Sequence, residues 1–251
     1  MWVPSSAASE TSRWTISAGL PLLWAWTSLS SLPPFPLQAT HHRIPLVAVR
    51  AVTQMELDSF VSHFASGMAK ADSLRPQAKS SRSGRTYGPG IGPFAEDRAV
   101  DLTVAQMRAL FPVVYDGLRC QVAYPGSRQK CDLVFADPPT WAVEVKMARF
   151  RGDNGKPDDT ATKDLFSPFD CDHSAVSDCA KLVASRIAPN CAVVIYGFDD
   201  PLRPLDIMAD AFEALAQTRA RLGSRCSAPL FDLVHPVFSS GRVFAWMVSP
   251  R

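Results

Sequence analysis

No C-x-x-C pair occurs among the six cysteines, which excludes the common zinc and thioredoxin-like motifs. Four of the six lie in apolar stretches predicted to be strands or helix faces, where a free thiol behaves as a small hydrophobe. That pattern is expected of reduced cysteines in a cytoplasmic protein. Histidine is equally uninformative: His63, His173 and His235 share no metal-ligand spacing, and His41 and His42 stand near the N-terminus. No serine sits in a G-x-S-x-G elbow, and Gly88-Pro89-Gly90-Ile91-Gly92 is interrupted by proline and follows no predicted strand. Hydrolase triads and glycine-rich phosphate loops are therefore set aside. Charge of one sign is also lacking, since the formal net charge is only +2. A nucleic-acid partner must be argued from where the charges sit, not from their sum.

What is present is an ordinary globular composition, 47% hydrophobic and 20% charged over 251 residues. It suits one good-sized α/β domain with some extra material. Residues 14–40 carry no charged side chain, and Ile16 to Trp26 has the apolar character of a signal-peptide core, with Arg13 before it. Pro33, Pro34 and Pro36 interrupt the segment, and a membrane span of about 20 apolar residues is not supported. Residues 1–54 are read as a leader or upstream extension, the extension being preferred over a secretory signal. An amphipathic helix starts at Met55, with Leu57, Phe60, Val61 and Phe64 on one face. Lys70, Arg75, Lys79, Arg82 and Arg85 then lie among Ser, Gly and Pro, so 55–92 is read as a helix followed by a basic linker that could track a phosphate backbone.

The main domain is expected over 93–251. A helix is predicted from about Phe94 to Leu110, closed by Pro112. Strands are predicted over Val113 to Tyr124, Cys131 to Ala136 and Trp141 to Met147, punctuated by Pro125-Gly126 and Pro138-Pro139. A polar loop from Arg149 to Asp172 precedes a helix from His173 to about Ile187. The run Cys191 to Tyr196 reads as a central strand covered on both sides. A helix over Leu205 to Leu222 and a terminal strand pair around Ser239-Ser240-Gly241 complete the chain.

Side chains alternate along a strand, so Glu144 and Lys146 share one face while Trp141, Val143, Val145 and Met147 take the other. Across a short hairpin, Asp132 can lie beside Glu144. Two carboxylates and an ammonium suit phosphodiester hydrolysis with Mg²⁺ or Mn²⁺, the lysine stabilising or positioning the attacking water. Glu96 lies on the inward helical line through Val100, Thr103 and Met107, so it too is a candidate metal ligand. Asp178 and Lys181 read either as an i,i+3 surface ion pair or as secondary site residues. Taken alone, Glu144 and Lys146 could be ordinary cross-strand charges on an exposed sheet face.

On these residues the sequence resembles the PD-(D/E)XK nuclease superfamily, over about Phe94 to Phe198, with Cys131 where the motif's name places proline. The resemblance implies a restriction-endonuclease-like α-β-β-β-α-β core: a mixed central sheet flanked by helices, followed here by a C-terminal helix and strand pair. By position it implies Asp132 and Glu144 as metal ligands, Lys146 as the catalytic lysine, the Val145 carbonyl as a backbone ligand and Glu96 as an accessory acid. Nucleic acid is the expected partner, DNA ahead of RNA, with Arg149, Arg151 and Lys156 as phosphate contacts and a homodimer as the assembly. The alternative is a catalytically inactive scaffold of the same fold that binds nucleic acid or a protein.

Overall fold

Apolar strands with both faces covered organise the chain. The computed structural model describes residues 46–80 and 83–251, so the reading of Arg82 and that of the 1–54 leader as far as residue 45 lie outside the described residues, while residues 46–54 belong to a helix. Helix α1 (Leu46–Ser73) is followed by a small hairpin, β1 (Gln77–Lys79) and β2 (Thr86–Pro89). Then come α2 (Glu96–Leu110), α3 (Pro112–Tyr115), β3 (Leu118–Ala123), β4 (Lys130–Phe135) and β5 (Trp141–Ala148). Helices α4 (Thr160–Phe166) and α5 (Ala175–Ser185) lead to β6 (Asn190–Phe198). Helix α6 (Leu205–Ala216), β7 (Arg221–Leu222), β8 (Cys226–Leu230) and β9 (Gly241–Ser249) end the chain.

The main sheet runs β3-β4-β5-β6-β9, and β7 and β8 both pair with β9. Only β5 and β6 are parallel, joined by a crossover that contains α4 and α5. The other pairs are antiparallel. The chain is thus a mixed α/β structure with a mostly antiparallel sheet flanked by helices. No described helix is long and apolar enough to cross a membrane.

One face of the sheet meets α1 and α2 through Leu57, Phe64, Met68, Val104, Met107, Val143, Val145 and Val194. The other meets α4, α5 and α6 through Leu165, Val176, Leu182, Phe212, Val193, Ile195 and Trp246. Strand β6 feeds both clusters, which is why its apolar run shows no alternation. Helices α1 and α2 approach closely at Gly67, where a Cβ would lie 2.6 Å from the Met107 side chain and 2.9 Å from the Thr103 carbonyl. Helix α5 starts where Ser174 caps the Ser177 N–H and stops at Arg186, which takes a left-handed conformation.

Several elements differ from expectation. Val113 and Val114, expected in a strand, lie in α3, where Pro112 occupies the first turn and presets the helical backbone. The polar loop over 149–172 contains α4, anchored by just Ala161 and Leu165. Helix α6, expected to reach Leu222, ends at Ala216, so that Arg221 and Leu222 can pair with β9. The basic linker contains the β1–β2 hairpin, and α1 extends to Ser73.

Candidate functional site

The ladder between β4 and β5 holds from Phe135↔Trp141 to Leu133↔Val143 and ends there, one residue short of Asp132 and Glu144. The β3–β4 ladder likewise skips Gln121 and Asp132, where Gln121 adopts a positive φ of 55°. Past this point β5 needs other acceptors for its N–H groups on that side. Asp132 Oδ2 accepts the Val145 N–H at 2.8 Å, and Glu96 Oε2, from the first turn of α2, accepts the Met147 N–H at 2.5 Å. Two acids distant in sequence therefore replace the missing strand partner, one residue pair apart along β5.

The strand pattern also sets the face. Val143 and Val145 join the α1 and α2 core, while Glu144 and Lys146 look toward α5. Glu144 is 2% exposed; its Oε1 accepts from the Tyr124 hydroxyl and pairs with Lys181 Nζ at 2.8 Å. Lys181 Nζ lies 2.7 Å from Asp178 Oδ1 and 5.1 Å from the centre of the Tyr124 ring. Asp178 is 1% exposed, and its Oδ2 lies 3.1 Å from Lys146 Nζ. Lys146 in turn pairs with Glu96 Oε1 at 3.4 Å. Charges alternate along a chain from Glu144 through Lys181, Asp178 and Lys146 to Glu96. Asp132 stands beside it, held by the Gln121 amide at 2.9 Å.

The electrostatics follow from burial and from the count of charges. Four carboxyls, Glu96, Asp132, Glu144 and Asp178, gather around the ammonium groups of Lys146 and Lys181, which pair with Glu96, Asp178 and Glu144. Burial, then the charges of Asp178 and Asp132, push Glu144 well above the usual carboxylate range. Asp132 itself is held by the Gln121 amide and the Val145 N–H, and its nearby carboxylate adds to the pressure that favours the protonated form of Glu144. Burial raises Glu96 to about 7, against the attraction of Lys146. For Lys146, desolvation opposes the charged form, but Asp178, Glu96, Asp132 and Glu144 together hold it firmly as the cation. Burial and the charge of Glu144 push the Cys131 thiol up to about 12, so it is a neutral neighbour.

The structure thus brings Asp132, Glu144, Lys146 and Glu96 to one place, together with Asp178 and Lys181. The last two form the i,i+3 pair anticipated for them, but it faces β5, with Asp178 buried and Lys181 half-buried, instead of lying on the open surface. Tyr124 and Gln121 were missed, because nothing in the spacing of a turn-flanking tyrosine or a strand glutamine marks a contact that only the pairing of β3 with β4 creates. Among the expected phosphate contacts, Arg149 bonds to the Gly92 and Phe94 carbonyls and Arg151 pairs with Asp200, whereas Lys156 is exposed.

Carboxylate oxygens are the ligand type that a hard divalent cation prefers. Asp132 lies next to Glu144 across β4 and β5, with its oxygens on Gln121 and Val145, and Glu96 spends its oxygens on Met147 and Lys146. Among the described residues, no three of His, Cys, Asp or Glu are grouped as a complete metal cage. Compared with known proteins, the chain matches no family model, no curated protein and no solved structure.

Proposed function

We propose that the chain is a metal-dependent nuclease with a restriction-endonuclease-like core, hydrolysing phosphodiester bonds in DNA or RNA. The observation that carries this reading is the linked chain of charges from Glu144 through Lys181, Asp178 and Lys146 to Glu96, set where β4 and β5 part, with Asp132 bonded to the Val145 N–H between Glu144 and Lys146. The order α2, β3, β4, β5, α5, β6, with β6 parallel to β5, supports it. Asp132 and Glu144 would hold Mg²⁺ or Mn²⁺, with Glu96 beside them; such an ion, when bound, supplies charge to offset that building on the phosphate.

The chain's own groups have separable roles. Lys146 stays protonated among four carboxyls, so it cannot take a proton from water; it acts as a fixed positive charge toward the phosphate. Asp178 and Glu96 aim that ammonium from two sides. Glu96, raised to about 7 by burial, is held between the Met147 N–H and Lys146, so its own part is to fix β5 and that ammonium beside the site. Tyr124 and Lys181 keep Glu144 oriented within an otherwise apolar surround.

A second reading, the inactive scaffold, is favoured by one observation. Glu144 is 2% exposed and is held by Tyr124 and Lys181 from within the fold, as in a structural charge cluster. Cleavage of plasmid, single-stranded and duplex oligonucleotides with and without Mg²⁺ or Mn²⁺ separates the two. The nuclease reading expects metal-dependent cleavage that Lys146→Ala reduces by at least about a thousandfold, with the circular dichroism spectrum unchanged, in keeping with the loss of a preorganised charge from a catalytic site. Absence of cleavage by the wild-type chain on every substrate leaves the scaffold.

A further inference from the structure

A groove of about 490 Å³ runs between the β1–β2 hairpin and the start of α2. It adjoins the charged cluster along the chain on both sides: Phe94 and Ala95, which line it, lead into Glu96, and Arg149 follows the end of β5. Three basic residues line the groove, Lys79, Arg98 and Arg149, and none of its lining residues is acidic. Lys79 is exposed, and Arg98 lies 3.9 Å from Asp101, with both of these side chains more than half exposed. Arg149 donates through Nη1 to the Gly92 and Phe94 carbonyls at 2.8 and 2.9 Å. Those bonds fix the guanidinium without cancelling its charge, since a carbonyl is neutral. Tyr87 and Phe94 add aromatic rings to the wall.

We infer that this groove carries one single strand of nucleic acid into the site, its phosphates on Lys79, Arg98 and Arg149 and a base stacked on Tyr87. The inference rests on the nuclease reading above and adds to it the strand's path and its single-stranded form. Basic side chains along a concave path track the backbone regardless of sequence, and aromatic rings take bases that are not paired. A duplex would use the cations but not the ring.

The test is binding of a fluorescent twenty-nucleotide oligothymidylate to the full chain without divalent ions, followed by anisotropy across a salt series. Lys79→Gln/Arg98→Gln removes two exposed cations. It should weaken binding at least tenfold and make the log–log salt slope shallower by about 1.4, the value for two phosphate contacts on a single strand. Tyr87→Ala should weaken single-strand binding about tenfold and leave a hairpin duplex unaffected, while Tyr87→Phe restores it. Wild-type affinity and slope in the double variant would overturn the inference, as would equal losses for single strand and duplex in Tyr87→Ala. In either case metal-dependent cleavage by the wild-type chain leaves the nuclease reading standing; a wild-type chain that neither binds nor cleaves removes both.

Discussion

Glu96 does two jobs with one carboxyl, completing the hydrogen bonding of Met147 and pairing with Lys146. Its ordinary value of 4.5 is raised to about 7 by burial. Between these values the folded chain keeps a proton that the unfolded chain has already released, so this group makes folding less favourable as pH rises from 4.5 through 7. Glu96→Gln retains an acceptor for the Met147 N–H and cannot ionise. The urea midpoint of the variant, taken relative to wild type, should therefore increase across that interval and level off on either side. A flat difference from pH 4.5 to 8 would mean that Glu96 ionises freely. Other titrating groups, among them His63 and His235, both lowered by burial, largely cancel in the comparison.

At the level of the elements, Gly67 is the clearest demand that packing makes on one position. A side chain there meets both the Met107 side chain and the Thr103 carbonyl, and the latter belongs to the α2 backbone and cannot rotate away. Gly67→Val should cost about 1–3 kcal/mol through overpacking, read as a lower thermal midpoint; a midpoint at or above wild type would show that α1 can shift aside. Elements with strong periodicity were legible from sequence. The alternation of Val143 and Val145 with Glu144 and Lys146 placed the two charges on one face, and the helical line through Val100, Thr103 and Met107 turned Glu96 inward. Helix α4 was not legible because its exposed positions are polar and only two residues anchor it. Helix α3 was misread because two β-branched residues after Pro112 look like a strand; Val113 is in fact 92% exposed, so no sheet face claims it. Asp178 and Lys181 were ambiguous for another reason. An i,i+3 pair has the same sequence pattern whether it faces solvent or β5, and only the seating of α5 decides between them.

Over the whole molecule, the sheet is covered on both faces, while its order leaves β5 paired with β6 along its full length and with β4 along only part of it. The charged cluster sits at that discontinuity, and the proposed strand path enters beside it. Asp132 and Glu96 occupy the hydrogen-bonding positions that a further chain could otherwise take. The consequence expected of this is a guard against self-association. With both replaced by alanine, the bared segment of β5 becomes a template for intermolecular pairing, and concentrated solutions should grow turbid and bind thioflavin T under conditions in which the wild type stays clear and monodisperse by light scattering. A clear, monodisperse double variant would show that the neighbouring side chains are barrier enough, and the acids would then owe their presence to the chemistry alone.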